Sequence, residues 1–315
     1  MKNKSHIFGP VPSRRLGFSL GVDVVPFKTC SLDCVYCQLG PTTEKTLQRK
    51  EYVPAGEVIS ELEEVLKRGG RIDYITFSGS GEPTLNSRIG EMVDRIKKVT
   101  DIPVAVLTNG TLLYDKSVRG ELMNADLVIP SLDAGTESAF QEVNRPHPEL
   151  SLEKMLKGIV DFKKEFKGRL WLEVMLVKGI NDSEAELDEI ARSILMIGPE
   201  RVQLNTVVRP PAEEFASALS PEEMEKAASF LRQKLGEIPV EAVVEFRGER
   251  ERVMKEDIAS AIVTYLKRRP ATLADLSASL GLHRNEVVKY LTHLLEDGRI
   301  TERYSGKEKY FVFKK

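Results

Sequence analysis

The chain has 315 residues, 41% hydrophobic and 30% charged, with a net charge of −2. That length holds one large domain and a small one, and the balanced charge points to no polyanionic partner for the chain as a whole. No apolar run approaches a membrane span of roughly 18–20 residues, and Met1–Ser13 has no signal-peptide core, so the sequence predicts a cytoplasmic protein without a membrane partner.

Taken in chain order, short β-rich runs alternate with amphipathic helical patterns over about the first 245 residues. Strands are predicted near Gly21–Val25, Tyr74–Phe77, Val104–Leu107, Leu127–Ile129, Leu170–Val177 and Val202–Leu204. Between them, Val58, Leu62, Val65 and Leu66 share one helical face, as do Leu187, Ile190, Ala191, Ile194 and Leu195. Ser183 with Glu186, and Ser220-Pro221 with Glu223, have the spacing of capping boxes. Repeated β–α units imply an α/β fold with a parallel sheet, doubly wound or curled into a partial (β/α)6 barrel, since six units fall short of a full eight.

A charged stretch, Arg247-Gly248-Glu249-Arg250-Glu251-Arg252, then reads as a linker. Helical patterns follow at Ile258–Leu266, at Leu273–Leu280 ending on Gly281, and at Asn285–Leu295 ending on Gly298. Arg299–Tyr304 and Lys309–Phe313 flank Ser305-Gly306 as a hairpin, completing the layout of a winged helix-turn-helix. The predicted domains are therefore 1–246, a linker at 247–256, and 257–315. Residues 255–315 carry a net charge of +4 and the remainder −6, which suits nucleic acid. Val287, Val288, Leu291, Leu294 and Leu295 would face the core of this small domain. His283, Arg284, Asn285, Lys289 and His293 are left for outside contacts, with Arg299, Arg303, Lys307 and Lys309 on the wing.

The chain's three cysteines, Cys30, Cys34 and Cys37, lie in one loop with C-x3-C-x2-C spacing. In a reducing compartment such a cluster reads as metal ligands or redox thiols. A closed zinc site needs a fourth ligand, and His6, His147, His283 and His293 are remote in sequence. An iron–sulfur cube on three thiolates leaves one iron for an outside ligand. The other unusual loops also follow strands: Gly79-Ser80-Gly81-Glu82-Pro83-Thr84, Thr108-Asn109-Gly110, Ser131-Leu132-Asp133-Ala134, Lys178–Asp182 and Asn205. In parallel α/β folds, ligands bind at that rim. Gly79 and Gly81 let backbone approach a ligand, and Glu82 offers an acceptor to an ammonium group. Ser131 and Asp133 suit a ribose diol, with Asn205 a weaker candidate for the same role. Glu173 is expected in the cavity, and Lys178 either there or on the surface.

The cysteine spacing, with Tyr36 before the third cysteine and Gly81-Glu82-Pro83 one unit later, resembles the radical S-adenosylmethionine (SAM) superfamily over residues 8–245 or so. The resemblance implies a [4Fe–4S] cluster on Cys30, Cys34 and Cys37, with SAM chelating the fourth iron and being cleaved to a 5′-deoxyadenosyl radical. It also implies Tyr36 near the adenine, Thr108 and Asn109 near the ribose or methionyl group, and an external electron donor of ferredoxin or flavodoxin type. Phe8–Gly17, Gly21-Val22-Asp23 and Asn144-Arg145-Pro146-His147 look like the branch grouped with 4-demethylwyosine synthases, which modify tRNA. Arg14 and Arg15 would bind a carboxylate or phosphate there. Those synthases carry extra cysteines for a second cluster, and this chain has none left. The expected function is a radical SAM enzyme with one cluster, its tail recruiting tRNA or another nucleic acid. The alternatives are an enzyme acting on a protein or small molecule with the tail as a dock, and an iron–sulfur DNA-binding regulator.

Overall fold

The computed structural model describes residues 5–13, 15–209, 211–242, 256–280, 282–305 and 308–314. Its main element is an eight-stranded sheet. An edge strand β1 (Ile7–Ser13) runs antiparallel to β2 (Gly17–Val22), with a register shift between Phe8 and Val11. A two-residue pair, β3 (Thr29–Cys30) and β4 (Glu44–Lys45), braces the cysteine loop outside this sheet. Next to β2 come β5 (Tyr74–Phe77), β6 (Val104–Thr108), β7 (Leu127–Pro130), β8 (Arg169–Leu176), β9 (Arg201–Thr206) and β10 (Val240–Ala242), all parallel and in chain order. A doubly wound sheet reverses its strand order part-way; this one does not.

Helices α1 (Ala55–Lys67), α2 (Ile89–Val99), α3 (Lys116–Glu121), α4 (Glu137–Val143), α5 (Leu152–Glu165), α6 (Glu184–Ile197) and α7 (Pro221–Leu235) fill the crossovers. Alternation along the strands sorts the two faces of the sheet. Val22, Ile75, Phe77, Val104, Val106, Val128, Leu172 and Leu204 share one core with the apolar faces of the helices. Ser19, Thr76, Leu107, Ile129 and Glu173 point to the other face and line a cavity.

Two strands escape the sequence pattern. β1 contains Pro10 and Pro12, which an edge strand tolerates because its outer N–H groups need no partner. β10 is three residues long, too short for a periodicity. The first parallel strand spans 17–22 instead of 21–25, because the chain leaves the sheet at Asp23 to enter the site. Ser220 and Glu223 form the full capping box. At α6, Ser183 caps the Glu186 N–H, but the Glu186 carboxylate instead accepts the backbone N–H groups of Gly135 and Thr136 and the Thr136 hydroxyl, tying down the loop after β7.

The C-terminal part has its own core around Ile262, Leu276, Val287, Leu291, Leu294 and Phe311. It comprises α8 (Glu256–Arg268), α9 (Leu273–Leu280), α10 (Arg284–Glu296) and the hairpin of β11 (Ile300–Ser305) and β12 (Glu308–Phe313). Arg14, Gly281, Gly306, Lys307 and all of the expected linker except Glu256 lie outside the described residues. No described helix is long and apolar enough to cross a membrane.

Candidate active site

The cysteine loop leaves β2 and docks on the segment after α4: Val35 N–H donates to Val143 O and Asp33 N–H to Asn144 O. Cys30, Cys34 and Cys37 are free thiols, all half-buried. Each sulfur has one nitrogen donor beside it. Asn109 Nδ2 lies 3.5 Å from Cys30 Sγ, Asn144 Nδ2 3.4 Å from Cys34 Sγ, and Lys28 Nζ 3.0 Å from Cys37 Sγ. Burial, then the charge of Glu82, pushes the Cys30 thiol up to about 11, and burial, then Asp133, raises Cys34 still further. Burial alone would lower the Lys28 ammonium, but the sulfurs of Cys37, Cys30 and Cys34 more than offset it and hold it above its ordinary value. The Cys30 and Cys34 thiols hold their protons at neutral pH until a metal displaces them.

This donor set fits an iron–sulfur cluster. Soft sulfur ligands suit it, and N–H groups aimed at the sulfurs stabilise thiolates and tune the centre. Among the described residues, no three His, Cys, Asp or Glu side chains are grouped to hold a single metal ion. A tetrahedral zinc site, with ligands converging on one point, is not what this loop builds.

Glu82 joins the loops after β5 and β6. Its Oε1 accepts the Thr84 N–H at 3.0 Å and the Thr84 and Thr108 hydroxyls at 2.6 Å each; its Oε2 accepts the Asn109 N–H at 2.7 Å. Burial, the largest influence, raises its pKa in spite of these four donors. Asn109 is equally occupied: its amide nitrogen also reaches Ser31 Oγ at 2.8 Å, and its Oδ1 accepts from Thr111 N–H and hydroxyl. Gly81 is required by space. A Cβ there would lie 1.9 Å from Thr29 O, beside Cys30. Gly79 meets Asp23 in the same way, with a Cβ 2.5 Å from its carboxylate.

A cavity of about 330 Å³ opens over these loops, a size that suits a small-molecule ligand. Cys30, Tyr36, Gly81, Glu82, Thr108, Asn109 and Ser131 line it, together with Arg15, Gln38, Glu173 and Arg209. Arg15 forms an ion pair with Glu173 inside it, and Arg209 donates to Gln38.

Residues 24–192 match the radical SAM superfamily, more than half of the chain. The chain belongs to the radical SAM superfamily. Proteins of this family bind a [4Fe–4S] cluster and SAM. A UPF0026 protein of Methanocaldococcus jannaschii is 35% identical over 265 residues, covering 84% of this chain and 82% of that one. A Brachyspira hyodysenteriae protein named GTPase Obg is 44% identical over 298 residues, 94% of this chain. The chain spans only 43% of that relative and has no G-x4-G-K-[S/T] phosphate loop, so the GTPase name does not carry over. Among solved structures, TYW1 with a lysine-pyruvate adduct aligns with a TM-score of 0.52 at 19% identity, covering 68% of this chain and 73% of that one. A radical SAM methyltransferase from Sphaerobacter thermophilus aligns at 0.54 and 21%, covering 71% and 65%. At those identities the two structures establish a shared fold.

In this radical SAM protein, two of the residues expected at a ribose do other work. Asp133 is buried and lies outside the cavity lining. Its Oδ2 accepts the Tyr36 hydroxyl at 2.5 Å and Asn144 Nδ2 at 2.8 Å, and its Oδ1 accepts the Met175 N–H at 2.9 Å. Burial is the main reason its pKa rises to about 6. Asn205 is also buried outside the lining and donates to Glu173 Oε1 at 2.8 Å. Asp133 is thus tied to Tyr36 and to the Asn144 amide beside Cys34, and Asn205 to Glu173, while the Asn205 Oδ1 has no partner among the described residues. Lys178 pairs with Glu223 at the surface.

The largest departure concerns the C-terminal domain. His283, Arg284, Asn285 and Lys289, expected to face outward, face the sheet domain instead. His283 Nε2 lies 2.8 Å from Asp23 Oδ2, with both side chains nearly fully buried. Asn285 and Lys289 line the cavity. Lys28 and Arg209 had no motif to betray them, and Asp23 stood only within the Gly21-Val22-Asp23 run, with no role given to it. A lysine two residues before the first cysteine and an aspartate at the end of the first parallel strand were the available signals.

Proposed function

We propose that Cys30, Cys34 and Cys37 hold the family's [4Fe–4S] cluster, and that SAM lies along the strand ends past Glu82, Thr108, Asn109, Ser131 and Tyr36. The observation that carries this reading is the nitrogen donor beside each of the three sulfurs. When bound, the cluster supplies the electron that splits the SAM sulfonium, yielding a 5′-deoxyadenosyl radical that takes a hydrogen atom from the substrate. Glu82 Oε2 accepts one donor against three at Oε1, which leaves it room for the ammonium of SAM. Gly81 lets the backbone approach the ligand. Tyr36, held by Asp133, sets one side of the adenine site. An external donor of ferredoxin or flavodoxin type would supply the electron.

We read the sequentially ordered sheet as a curled partial barrel and residues 257–315 as a winged helix-turn-helix. With the third helix of that domain turned toward the cavity, a protein side chain or small molecule is favoured as substrate over a nucleic acid. A tRNA role rests on the exposed Arg299, Arg303 and Lys314. Tight, salt-dependent tRNA binding that Arg299→Ala/Arg303→Ala weakens would restore it.

The test is anaerobic reconstitution, reduction and assay for 5′-deoxyadenosine from SAM. Cys34→Ala should lose both the bound iron and the product. If the wild-type protein holds its cluster and never forms 5′-deoxyadenosine, the enzymatic reading fails.

A further inference from the structure

Just before the first cysteine, Pro26 to Thr29 make a tight turn, closed by the Thr29 N–H donating to Pro26 O at 3.1 Å. Lys28 takes its third position with φ 58°, in the left-handed region. Glycine adopts that conformation without steric cost and is the usual residue there. Among the described residues only Lys28 and Arg145 adopt a positive φ with a side chain. The turn is held firmly. Ser80 O accepts the Lys28 N–H at 2.6 Å, and Lys28 O accepts those of Thr43 and Glu44 at 3.1 Å each. The C-terminal domain meets the turn as well: the Arg284 guanidinium lies 3.5 Å from the centre of the Phe27 ring. His283 Nδ1 accepts the Asn285 N–H, so its Nε2 donates to Asp23, which in turn accepts from Ser80.

All of this fixes the place of a lysine that is 3% exposed and whose Nζ lies 3.0 Å from Cys37 Sγ. Burying an ammonium is costly unless negative charge compensates it. The groups that hold this one charged against burial are the sulfurs of Cys37, Cys30 and Cys34. Lys309 also feels Cys37, but it is taken up by Glu302 and Pro211 O. A neutral thiol gives a buried ammonium little compensation, whereas a thiolate on a metal gives it in full. Lys28 therefore matches the metal-bound form of the cysteine set. Hydrogen bonds to ligand sulfurs and nearby charge are levers on the potential of an iron–sulfur centre. A fixed cation stabilises the reduced, more negative state more than the oxidised one, and a low dielectric strengthens the effect.

We propose that Lys28, acting through Cys37, tunes the bound cluster and makes it easier to reduce. The electron comes from a donor of ferredoxin or flavodoxin type, which is oxidised by one electron as the cluster is reduced by one. Lys28 is already an ammonium, so no proton moves. This role rests on the radical SAM reading and adds to it a residue that sets the potential.

The experiment uses the full chain, reconstituted anaerobically and titrated with dithionite while electron paramagnetic resonance follows the reduced cluster. Lys28→Met should make reduction about tenfold less favourable, a midpoint about 59 mV lower for one electron. Lys28→Gln keeps an N–H donor without the charge and should fall nearly as far. A variant that carries its cluster at the wild-type midpoint overturns the proposal, since a residue that only packs the loop would leave the potential where it was. If both variants lose their iron, Lys28→Arg decides. A cluster there within about twofold of the wild-type reduction equilibrium supports the role of the charge. A tenfold shift, or loss of iron there too, makes Lys28 a packing residue and overturns the proposal. The underlying reading fails differently. A wild-type chain that takes up no cluster removes the radical SAM reading and this role with it. A cluster tuned as expected that never yields 5′-deoxyadenosine removes the enzymatic reading and leaves Lys28 standing.

Discussion

At the ends of β5 and β6, Glu82 collects four donors and Asn109 uses both ends of its amide, all within these two loops and the cysteine loop. Across the same cavity, Asn285 keeps an acceptor without a partner among the described residues. The first wall rises from the large core of the sheet and its helices; the second is carried on a separate small core. The difference tells the two walls apart by task. A saturated network holds one geometry, as a site for an invariant cofactor needs. An unsatisfied group on a domain that docks through a few contacts suits a ligand that comes and goes.

The sharpest way to break the contrast is Gly81→Ala. Its methyl group would enter Thr29 O, and with so little slack Cys30 must shift. Iron bound per chain after reconstitution should fall severalfold; retention of full iron content would show that the saturated wall yields after all. Next is Asp133→Asn. The folded carboxyl titrates at about 6 against 3.8 for its ordinary value. Between those values the folded state holds a proton that the unfolded state has lost, so stability falls as pH rises from about 4 to 6, by up to about 3 kcal/mol at about 1.4 kcal/mol per unit. Urea unfolding across that range should show the slope in the wild type and a flatter one in the variant. An unchanged slope would locate it elsewhere.

His283→Ala probes the other wall. It removes the Nε2 donor from Asp23, which keeps its bonds from the Ser80 N–H and hydroxyl. Burial alone would raise Asp23, but the hydrogen bonds from His283 and Ser80 hold it below its ordinary value. Loss of a buried hydrogen bond to a charge should cost about 1.5–3 kcal/mol, read as faster exchange in residues 283–296 with α1 to α6 unaffected. Uniform acceleration through both domains would deny the separation of the two walls. The smallest effect should come from Lys178→Met. Its pair with Glu223 is about half exposed on both sides, and unfolding should move by no more than about 0.5 kcal/mol.

Much of the first wall was readable from the chain because its parts are local. Three cysteines within eight residues and a Gly-Glu-Pro turn after a strand announce a ligand loop by spacing alone. The strand ends brought Thr108, Asn109 and Ser131 to the cavity, as a parallel sheet dictates. Asp133 was assigned by residue type, and type does not say whether a neighbour has already taken the oxygen. Here Tyr36, Asn144 and Met175 have taken those of Asp133. Lys28 was missed because a lysine near cysteines has no spacing rule of its own.

The sequence by itself determined the β–α alternation, the grouping of all three cysteines in one loop, the lack of any further cysteine, and the three helices and hairpin of the C-terminal domain. Periodicity and local chemistry are short-range properties, and the chain writes them directly. Only the tertiary structure decided where that domain sits. The His283–Asp23 contact joins residues 260 positions apart. Helical periodicity says which side chains leave the small core, but whether those face solvent or a second domain depends on a surface built by a distant part of the chain. That placement turned Asn285 and Lys289 from outward-facing residues into part of the cavity wall.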